Sequence, residues 1–459
     1  MTILSEINKI KFLILFQILI LILSAKYNFI PFYLTAGFLF LCWLIYYTFN
    51  NPASIIYILI FSAFIDSLFP LSDDIYGPSI LVLEILLVIF VGVITIRFFS
   101  DIHKLKNIPN YILNWIPYLA WSLIIGLIVA VDKYRVISFW KNYFAGFFIF
   151  SLTYYSIKNK DQLKSLIVAI ILWGVTLSLL EFKVLIELGG FSKGLVGLFI
   201  EKNLLNVGWG QSNYLAAFFV LIIPYSIGYL LYVNKKSTKF YISFAILIMF
   251  FALILTLSRG GILALIISLS ILSLRFMNAK FLLTFLGILL AAALILAFNP
   301  LTYVLIERIS ALEASGSFYS RINFYIDVWN AFLKNPLTGV GFGNLSYYAI
   351  FIFPKEVSPS AHNILLGALG EIGIIGTIFY FSLIFSVLIA IYKRYKAETN
   401  DYLKILRWCF FISIIGALIH TLVEPTLDSM HFSLIFWIIA AINLKLDLFT
   451  QNETQVEKS

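Results

Sequence analysis

Apolar runs of about 18 or more residues recur along the whole length of this chain, as membrane-spanning helices require. Strands of a membrane barrel would alternate apolar and polar residues instead. The runs here are continuous, so helices are expected. Of the 459 residues, 61% are hydrophobic and only 12% charged, where a soluble domain carries roughly 25% charged residues. The expected fold is an all-α polytopic membrane protein, with about 12–14 transmembrane helices and one large extracytoplasmic loop containing short helices. The formal net charge of +9 implies no nucleic acid, because lysines and arginines of membrane proteins collect in cytoplasmic loops. Cys42 and Cys409 each lie inside an apolar segment. They read as small core residues and imply no disulfide framework.

We place fourteen spans, at about 10–25, 30–48, 52–71, 78–98, 112–131, 136–156, 164–183, 212–233, 240–257, 261–276, 280–298, 364–391, 404–421 and 431–447. The first could pass for a signal peptide, but a second span follows within a few residues, so it reads as the first helix of a bundle. The ninth and tenth are separated only by S-R-G-G at Ser258. If they were one span, the topology beyond would invert. The charges argue against that. With the amino terminus inside, the inner connections carry Lys9 and Lys11, then Arg97, Lys104 and Lys106, then Lys158, Lys160 and Lys164. They continue with Lys235, Lys236 and Lys239, then Arg275 and Lys280, then Lys393, Arg394, Lys396 and Lys404. The short outer connections carry few basic residues, and the one at 72–77 is acidic, with Asp73 and Asp74. That alternation holds only if S-R-G-G is a true outer turn. Both termini are then cytoplasmic, and Arg259, loop 299–363 and the turn near Glu424 face outside.

Two outer loops exceed the usual short connection. The first, 184–211, is rich in glycine and ends in G-W-G-Q-S-N-Y, whose last three residues begin the next span. The second, 299–363, is the longest non-membrane segment. Within it, Ile322, Ile326, Trp329 and Leu333 recur at helical spacing, so 318–334 should form an amphipathic helix lying against the bundle or the interface. Asn335-Pro336 ends it, and Gly339, Gly341 and Gly343 then make a tight turn. Ser358-Pro359 is a helix-start signal. It puts His362 in the first turn of the next span, at the outer surface.

Few side chains here can do chemistry, and each has a bland reading. Arg259 sits at the lip of a span and could simply snorkel to lipid headgroups, although the two glycines after it allow close approach of a ligand. Arg321 could contact solvent or lipid phosphate, and Arg308 could pair with its neighbour Glu307. Three arginines on one outer surface are also what an anionic diphosphate needs. A lone histidine is more often structural than catalytic. At the positive end of a helix, however, His362 would be held neutral and able to accept a proton. Glu371 is nine residues on, on the opposite face of an unbroken helix and about 13 Å along it, so it should pack against a neighbour. His420, Glu424, Asp428 and His431 cluster at the last outer turn without a metal-binding pattern, and a structural or acceptor-side role is preferred over a metal. Asp66, Glu84, Lys141 and Lys183, inside or at the edges of spans, fit interhelical pairs or a transporter's ion path.

Several stretches together carry a resemblance. S-R-G-G precedes an apolar helix and a long outer loop with S-R at its middle. N-P-L-T-G-V-G-F-G-N follows, then S-A-H-N-I-L-L-G-A-L-G-E-I-G-I-I-G. This order resembles the O-antigen ligase and O-antigen polymerase superfamily. G-Q-S-N-Y-L-A at 210–216 is similar to a polar patch that precedes these motifs in that family. The resemblance covers about residues 208–424; the first 180 share only helical character.

The resemblance implies a bacterial inner-membrane glycosyltransferase that takes a glycan from undecaprenyl diphosphate and passes it to a hydroxyl on the outer side, with no metal or nucleotide cofactor. By motif position Arg259 and Arg321, with Arg308, would bind the diphosphate, and His362 would be the base. Gln211, Asn213, Gly341, Gly343, Asn363 and Glu371 would support them. One base and direct attack would invert the anomeric centre. The expected division is N-terminal helices 1–183, helices with the S-R-G-G motif 184–298, the outer loop 299–363, C-terminal helices 364–449 and a cytoplasmic tail 450–459. A ligase, with lipid A core as acceptor, is favoured slightly over a polymerase, whose acceptor is a second lipid-linked glycan. Relatives that modify protein hydroxyls share the machinery. The rival from another class is a transporter or flippase of lipid-linked sugars, which predicts two related halves and helices interrupted near the midplane. A non-catalytic membrane scaffold is the third reading, and in it the arginines and histidine would not converge.

Overall fold

The computed structural model describes residues 29–68, 82–101, 108–190, 207, 209, 211–276, 317–348 and 362–450. Among them, all regular structure is helical. The first helices are α1 (Phe29–Asn50), α2 (Ala53–Leu68), α3 (Val82–Asp101), the single turn α4 (Asn110–Leu113), α5 (Trp115–Val129), α6 (Lys133–Ser156) and α7 (Lys160–Glu187). They are followed by α8 (Ser212–Tyr232), α9 (Lys236–Leu255), α10 (Arg259–Phe276), α11 (Ser317–Lys334), α12 (Ile364–Ala397), α13 (Asp401–Thr421) and α14 (Met430–Lys445). Each expected span within the described residues is a helix, and α9 and α10 are separate helices divided at the S-R-G-G turn. Spans 10–25 and 280–298 lie outside the described residues. Among the described residues, seven stretches are long and apolar enough to cross a membrane: α4–α5 together, α7, α8, α9, α12, α13, and α14 with the short turn after it.

Polar caps explain where several helices begin. Asp132 accepts Tyr134 N–H (3.0 Å) and Arg135 N–H (3.2 Å) at the start of α6. Asn159 accepts Gln162 N–H (2.9 Å) at α7, and Asn400 accepts Leu403 N–H (3.1 Å) at α13. The centre of the bundle is α8 packed on α13, and α14 packed on α6. Of these helices α8 and α14 are apolar nearly all round, the composition a helix needs when it is surrounded by others. Small residues allow the close approaches: Gly146 of α6 lies against Trp437 and Ser433 of α14. Cys409 is buried in this core, but Cys42 is exposed on α1 and is not a core residue; both are free thiols. Lys141 of α6 is paired with Glu84 of α3, and Lys183 with Glu187 along α7 (3.4 Å). These contacts favour ion pairing over an ion path at both positions.

One end of the bundle is locked by charge. Arg407 of α13 is fully buried. It pairs with Glu398 (3.0 Å) and Asp447, and donates to Asn443 O (2.9 Å). Arg394 joins the same aspartate at 3.0 Å. Each nitrogen of the buried guanidinium is thereby directed at a partner, at the end of α12 or on and just beyond α14, which offsets its desolvation. The site described below sits at the other end.

The amphipathic helix α11 forms as its spacing predicts. Its expected apolar stripe, Ile322, Ile326, Trp329 and Leu333, is exposed, and so points away from the bundle. The face that packs is instead Val328 and Ala331, against Val340 and Leu345 of the glycine turn, with Leu366 of α12 alongside. An apolar stripe directed outward is the arrangement of a helix lying along a membrane interface.

The glycine turn and α12 exchange backbone hydrogen bonds. Helical geometry is broken in α12 at Gly373 (φ 66°, ψ −176°). The groups this frees are taken up by the turn. Val340 N–H donates to Gly370 O (3.0 Å), Gly341 N–H to Glu371 O (2.8 Å), and Ile374 N–H to Pro336 O (2.9 Å). Trp121 Nε1 of α5 donates to Ile372 O (3.1 Å). Gly339 (φ 68°) and Gly373 have left-handed backbones, and a Cβ on either would collide with the facing backbone. Gly373→Ala is therefore expected to destabilise the protein by about 2 kcal/mol or more. Gly37→Ala on α1, where a Cβ meets open space, should be neutral. Thermal unfolding of both variants in detergent checks this, and equal melting temperatures would be the contrary result.

Candidate active site

Three chain segments meet at the end of the bundle opposite Arg407. His362 precedes α12, Asn213 lies in the first turn of α8, and Glu424 sits in the turn between α13 and α14. Nδ1 of His362 is 3.1 Å from both carboxylate oxygens of Glu424. Asn213 Nδ2 donates to Glu424 Oε2 at 3.0 Å. The Glu424 side chain is only 1% exposed, whereas that of His362 is 20% exposed. A buried carboxylate thus holds a partly accessible imidazole from behind.

The start of α12 differs from expectation. His362 is not in the first helical turn, because the helix begins at Ile364 with Asn363 as its cap. Asn363 Oδ1 accepts Leu365 N–H (2.9 Å) and Leu366 N–H (3.0 Å), and its Nδ2 donates to Leu422 O (3.0 Å) beside Glu424. His362 itself has φ 46°, a left-handed conformation that cannot continue a helix. The residues of the expected start, Ser358 and Pro359, lie outside the described residues. The electrostatic partner of His362 is therefore a carboxylate, not a helix terminus. With Nδ1–H donated to Glu424, the neutral ring carries its lone pair on Nε2.

The arginines reach this centre from two directions. Arg321, in α11, is half-buried, and its charge acts on Glu424 and on His420. Phe324, one turn on and on the same face, lies against the His362 ring with centroids 5.4 Å apart. Arg259 is exposed at the first position of α10. Gly260 beside it abuts Val423 and His420, so the S-R-G-G turn is seated directly on the Glu424 turn. The residue before this motif, Leu257, also has positive φ (51°). Strained non-glycine backbone thus occurs at both turns that present the candidate residues, a pattern associated with functional sites. Arg308 lies outside the described residues.

The other expected supporting residues form an adjoining layer. Glu371 Oε1 accepts Gly343 N–H (3.2 Å), while the Glu371 carbonyl receives Gly341. Arg135 of α6 donates to Ser346 Oγ (2.9 Å) and to Gly343 O (3.3 Å). Asn344 and Asp132 are joined at 2.7 and 3.0 Å. Gln211 immediately precedes α8 and makes no capping bond to it. Glu371 is thus tied to the glycine turn rather than to His362, as the spacing of nine residues requires. Among the described residues, no three histidine, cysteine or carboxylate side chains group as metal ligands would.

Glu424 is the residue whose role the sequence did not reveal. It is visible there only as one member of a cluster at the last outer turn. Nothing local couples it to a histidine 62 positions earlier. Burial by itself would raise its pKa, but the hydrogen bonds from His362 and Asn213 and the positive field of Arg321 outweigh this and hold it below the usual carboxylate value. Asp428, four residues later, is pushed up to about 6, because burial and repulsion from Glu424 exceed the help of the Tyr143 hydroxyl.

The site therefore defines a polytopic, all-helical membrane protein with an Arg–His–carboxylate centre at one end of its bundle. The O-antigen ligase family model matches residues 244–381, from α9 into α12, a segment that includes Arg259, Arg321, the glycine turn, His362 and Glu371. This bears out the resemblance read from the motifs. A stretch of 129 residues is also 24% identical to the teichuronic acid biosynthesis protein TuaE of Bacillus subtilis (strain 168), taking in 27% of this chain. The match spans 26% of the length of that relative.

The two carboxylates should give opposite pH signatures. Ionised Glu424 contributes stability above its unfolded pKa, and that contribution is lost as pH falls through its lower folded value. Asp428, with its folded value raised, loses stability as pH rises from its unfolded value through about 6, and the cost is fully present above that. Glu424→Gln should destabilise by about 1–3 kcal/mol near neutrality, with the gap closing in acid. Asp428→Asn should be as stable as the parent or more so at neutral pH, and lose that advantage toward pH 4. Melting temperatures across that range decide it; parallel curves for the two variants would contradict the assignment.

Proposed function

We propose that this protein takes part in membrane polysaccharide biosynthesis as a metal-independent, inverting glycosyltransferase. It would transfer a glycan from undecaprenyl diphosphate to an acceptor hydroxyl at the outer face of a bacterial cytoplasmic membrane. The single observation that carries this is the His362–Glu424 pair flanked by Arg321 and the S-R-G-G turn. An activated glycan on a diphosphate needs only charge stabilisation of the leaving group and one base for the incoming hydroxyl. Arg259 and Arg321 supply the first. The second is Nε2 of His362, whose tautomer Glu424 sets and whose imidazolium Glu424 stabilises, the logic of a histidine–carboxylate pair in hydrolases.

In the step itself the acceptor oxygen bonds to the anomeric carbon as its proton passes to His362 Nε2. The bond from that carbon to the diphosphate oxygen breaks, and its electron pair leaves with the diphosphate. Attack opposite the leaving group inverts the centre. Of the acceptors, lipid A core, as in a ligase, is preferred over a second lipid-linked glycan, as in a polymerase.

His362→Ala should leave donor binding nearly intact and lower turnover by about 10²-fold or more. Activity should fall on acidification, as the protonated imidazole cannot act as base. Arg321→Lys should lose about tenfold or more, since a point charge does not replace a bidentate fork. The assay is a reconstituted transfer with undecaprenyl diphosphate glycan and each acceptor in turn. A purified His362→Ala protein with near-normal turnover would end the proposal. For orientation, a cysteine placed near Ser315, in a chain whose Cys42 is replaced, should react with an impermeant thiol reagent only from the outer side. Labelling from the cytoplasm alone would reverse the topology.

A further inference from the structure

Behind the His362–Glu424 pair lies a cavity of about 160 Å³. Each segment of the candidate centre continues into its wall. The chain runs from Asn213 to Gln211 and Tyr214, from His362 to Ala368 and Glu371, and from Glu424 to Asp428. The rest of the lining is aromatic. Tyr118, Tyr143 and Tyr380 pack mutually, with ring centroids 5.0–5.8 Å apart, and Phe342 stacks on Tyr143 at 5.3 Å.

Several polar groups on this wall have hydrogen-bonding capacity that the protein does not use. The Tyr380 hydroxyl is buried and makes no hydrogen bond of good geometry. Glu371 engages one oxygen with Gly343, and Asp428 one with Tyr143, leaving the second oxygen of each without a donor among the described residues. Unsatisfied polar groups inside a membrane bundle are costly, so such a set, convergent on one cavity, points to a polar occupant. The size limits it: a cavity of about 150 Å³ holds one six-membered ring. The charge limits it further. Among the described residues no arginine, lysine or histidine lines the cavity, and two carboxylates do, which disfavours a diphosphate or other anion.

We propose that this cavity is the subsite for the acceptor sugar: it takes one uncharged or amino-substituted pyranose ring, the ring carrying the hydroxyl that attacks, and rejects a uronic acid there. The inference rests on the transferase reading above. It divides the two substrates by charge. The donor's diphosphate lies on the arginine side of Glu424, and the acceptor ring on the carboxylate side, with His362 between them. Ring hydroxyls donate to Glu371 and Asp428, and the tyrosine faces cover the apolar edges of the ring.

The test uses the full chain in nanodiscs. Saturation-transfer NMR measures binding of methyl glucoside, methyl N-acetylglucosaminide and methyl glucuronide at neutral pH, and undecaprenyl diphosphate binding is measured on the same samples. The wild type should bind the two neutral glycosides and not the glucuronide. Ala368→Leu, which fills the cavity, should weaken neutral glycosides by about tenfold or more, and Tyr380→Phe by several-fold, with diphosphate affinity unchanged. The double variant Glu371→Gln, Asp428→Asn should admit the glucuronide, a gain that misfolding cannot produce. The subsite is overturned if neutral glycosides bind all variants alike, if glucuronide binds the wild type equally, or if no glycoside binds while the lipid diphosphate does. Failure of the wild type to bind the lipid diphosphate as well would overturn the transferase reading with it.

Discussion

The structure depends on the exchange of backbone hydrogen bonds between the broken helix α12 and the turn 336–343. A helix interrupted inside a membrane bundle exposes carbonyl and amide groups that lipid cannot satisfy, and irregular backbone survives there only when protein takes them up. Here Pro336, Val340 and Gly341 do so group by group. The exchange has two effects at once. It fixes the turn against α12, and it places Glu371 and the glycine turn at one wall of the cavity. The glycines are dictated by this approach: at Gly339 and Gly373 the facing backbone occupies the space of a Cβ. The first half of α12, from the Asn363 cap to the break, is then a short rigid piece that carries His362 at its head.

Much of this was legible in the sequence, because the spacing of apolar residues and the alternation of basic loops report on single segments. The division of α9 from α10 at S-R-G-G and the extent of α11 are of this kind. Three features were not legible. The break at Gly373 falls within G-E-I-G-I-I-G, an apolar run that reads as continuous helix, because periodicity does not register partners 30 to 38 residues earlier. The direction of the α11 stripe was open, since an amphipathic pattern says which residues are alike and not what they face; Ile322, Ile326, Trp329 and Leu333 turn outward. The start of α12 was misplaced because Ser358-Pro359 and Asn363 are both plausible caps in sequence, and it is Asn363 that makes the capping bonds of α12. Glu424 was hidden for a different reason. Its significance is entirely a matter of which histidine faces it.

The site is also wider than the segment by which the chain resembles its relatives. Residues 244–381 contain both described arginines and the histidine. Asn213, Glu424 and Asp428 lie beyond that segment, and so do Tyr118 and Tyr143. The helices that bring these five residues together, α5, α6, α8, α13 and α14, also make up most of the packed centre of the bundle. The groups assigned to the diphosphate sit on the matched segment, while half of the cavity wall comes from outside it. A division of labour follows from this placement. Under the proposed transfer, the groups for the donor would lie on the matched segment, and the wall facing the acceptor would be shared between that segment and the rest of the fold.

Charge arrangement then explains why one small turn, 422–429, can serve both sides. Glu424 is surrounded by a cation-bearing face, with His362, Asn213 and the field of Arg321, and its carboxylate is favoured in the ionised form. Asp428 is surrounded by burial, tyrosine and the negative charge of Glu424, and its proton is held more tightly. The two carboxyl groups are separated in protonation behaviour by their environments alone, which is how neighbouring acids acquire different duties. In the proposed mechanism Glu424 would stay anionic to orient and stabilise His362. Asp428, lacking any cationic partner among the described residues, is suited to accepting hydrogen bonds from a neutral polar group and unsuited to holding an anion. On that reading the 3₁₀ turn Thr426–Asp428, wedged between α6 and α8, would mark the boundary between an anion-binding side and an anion-excluding side.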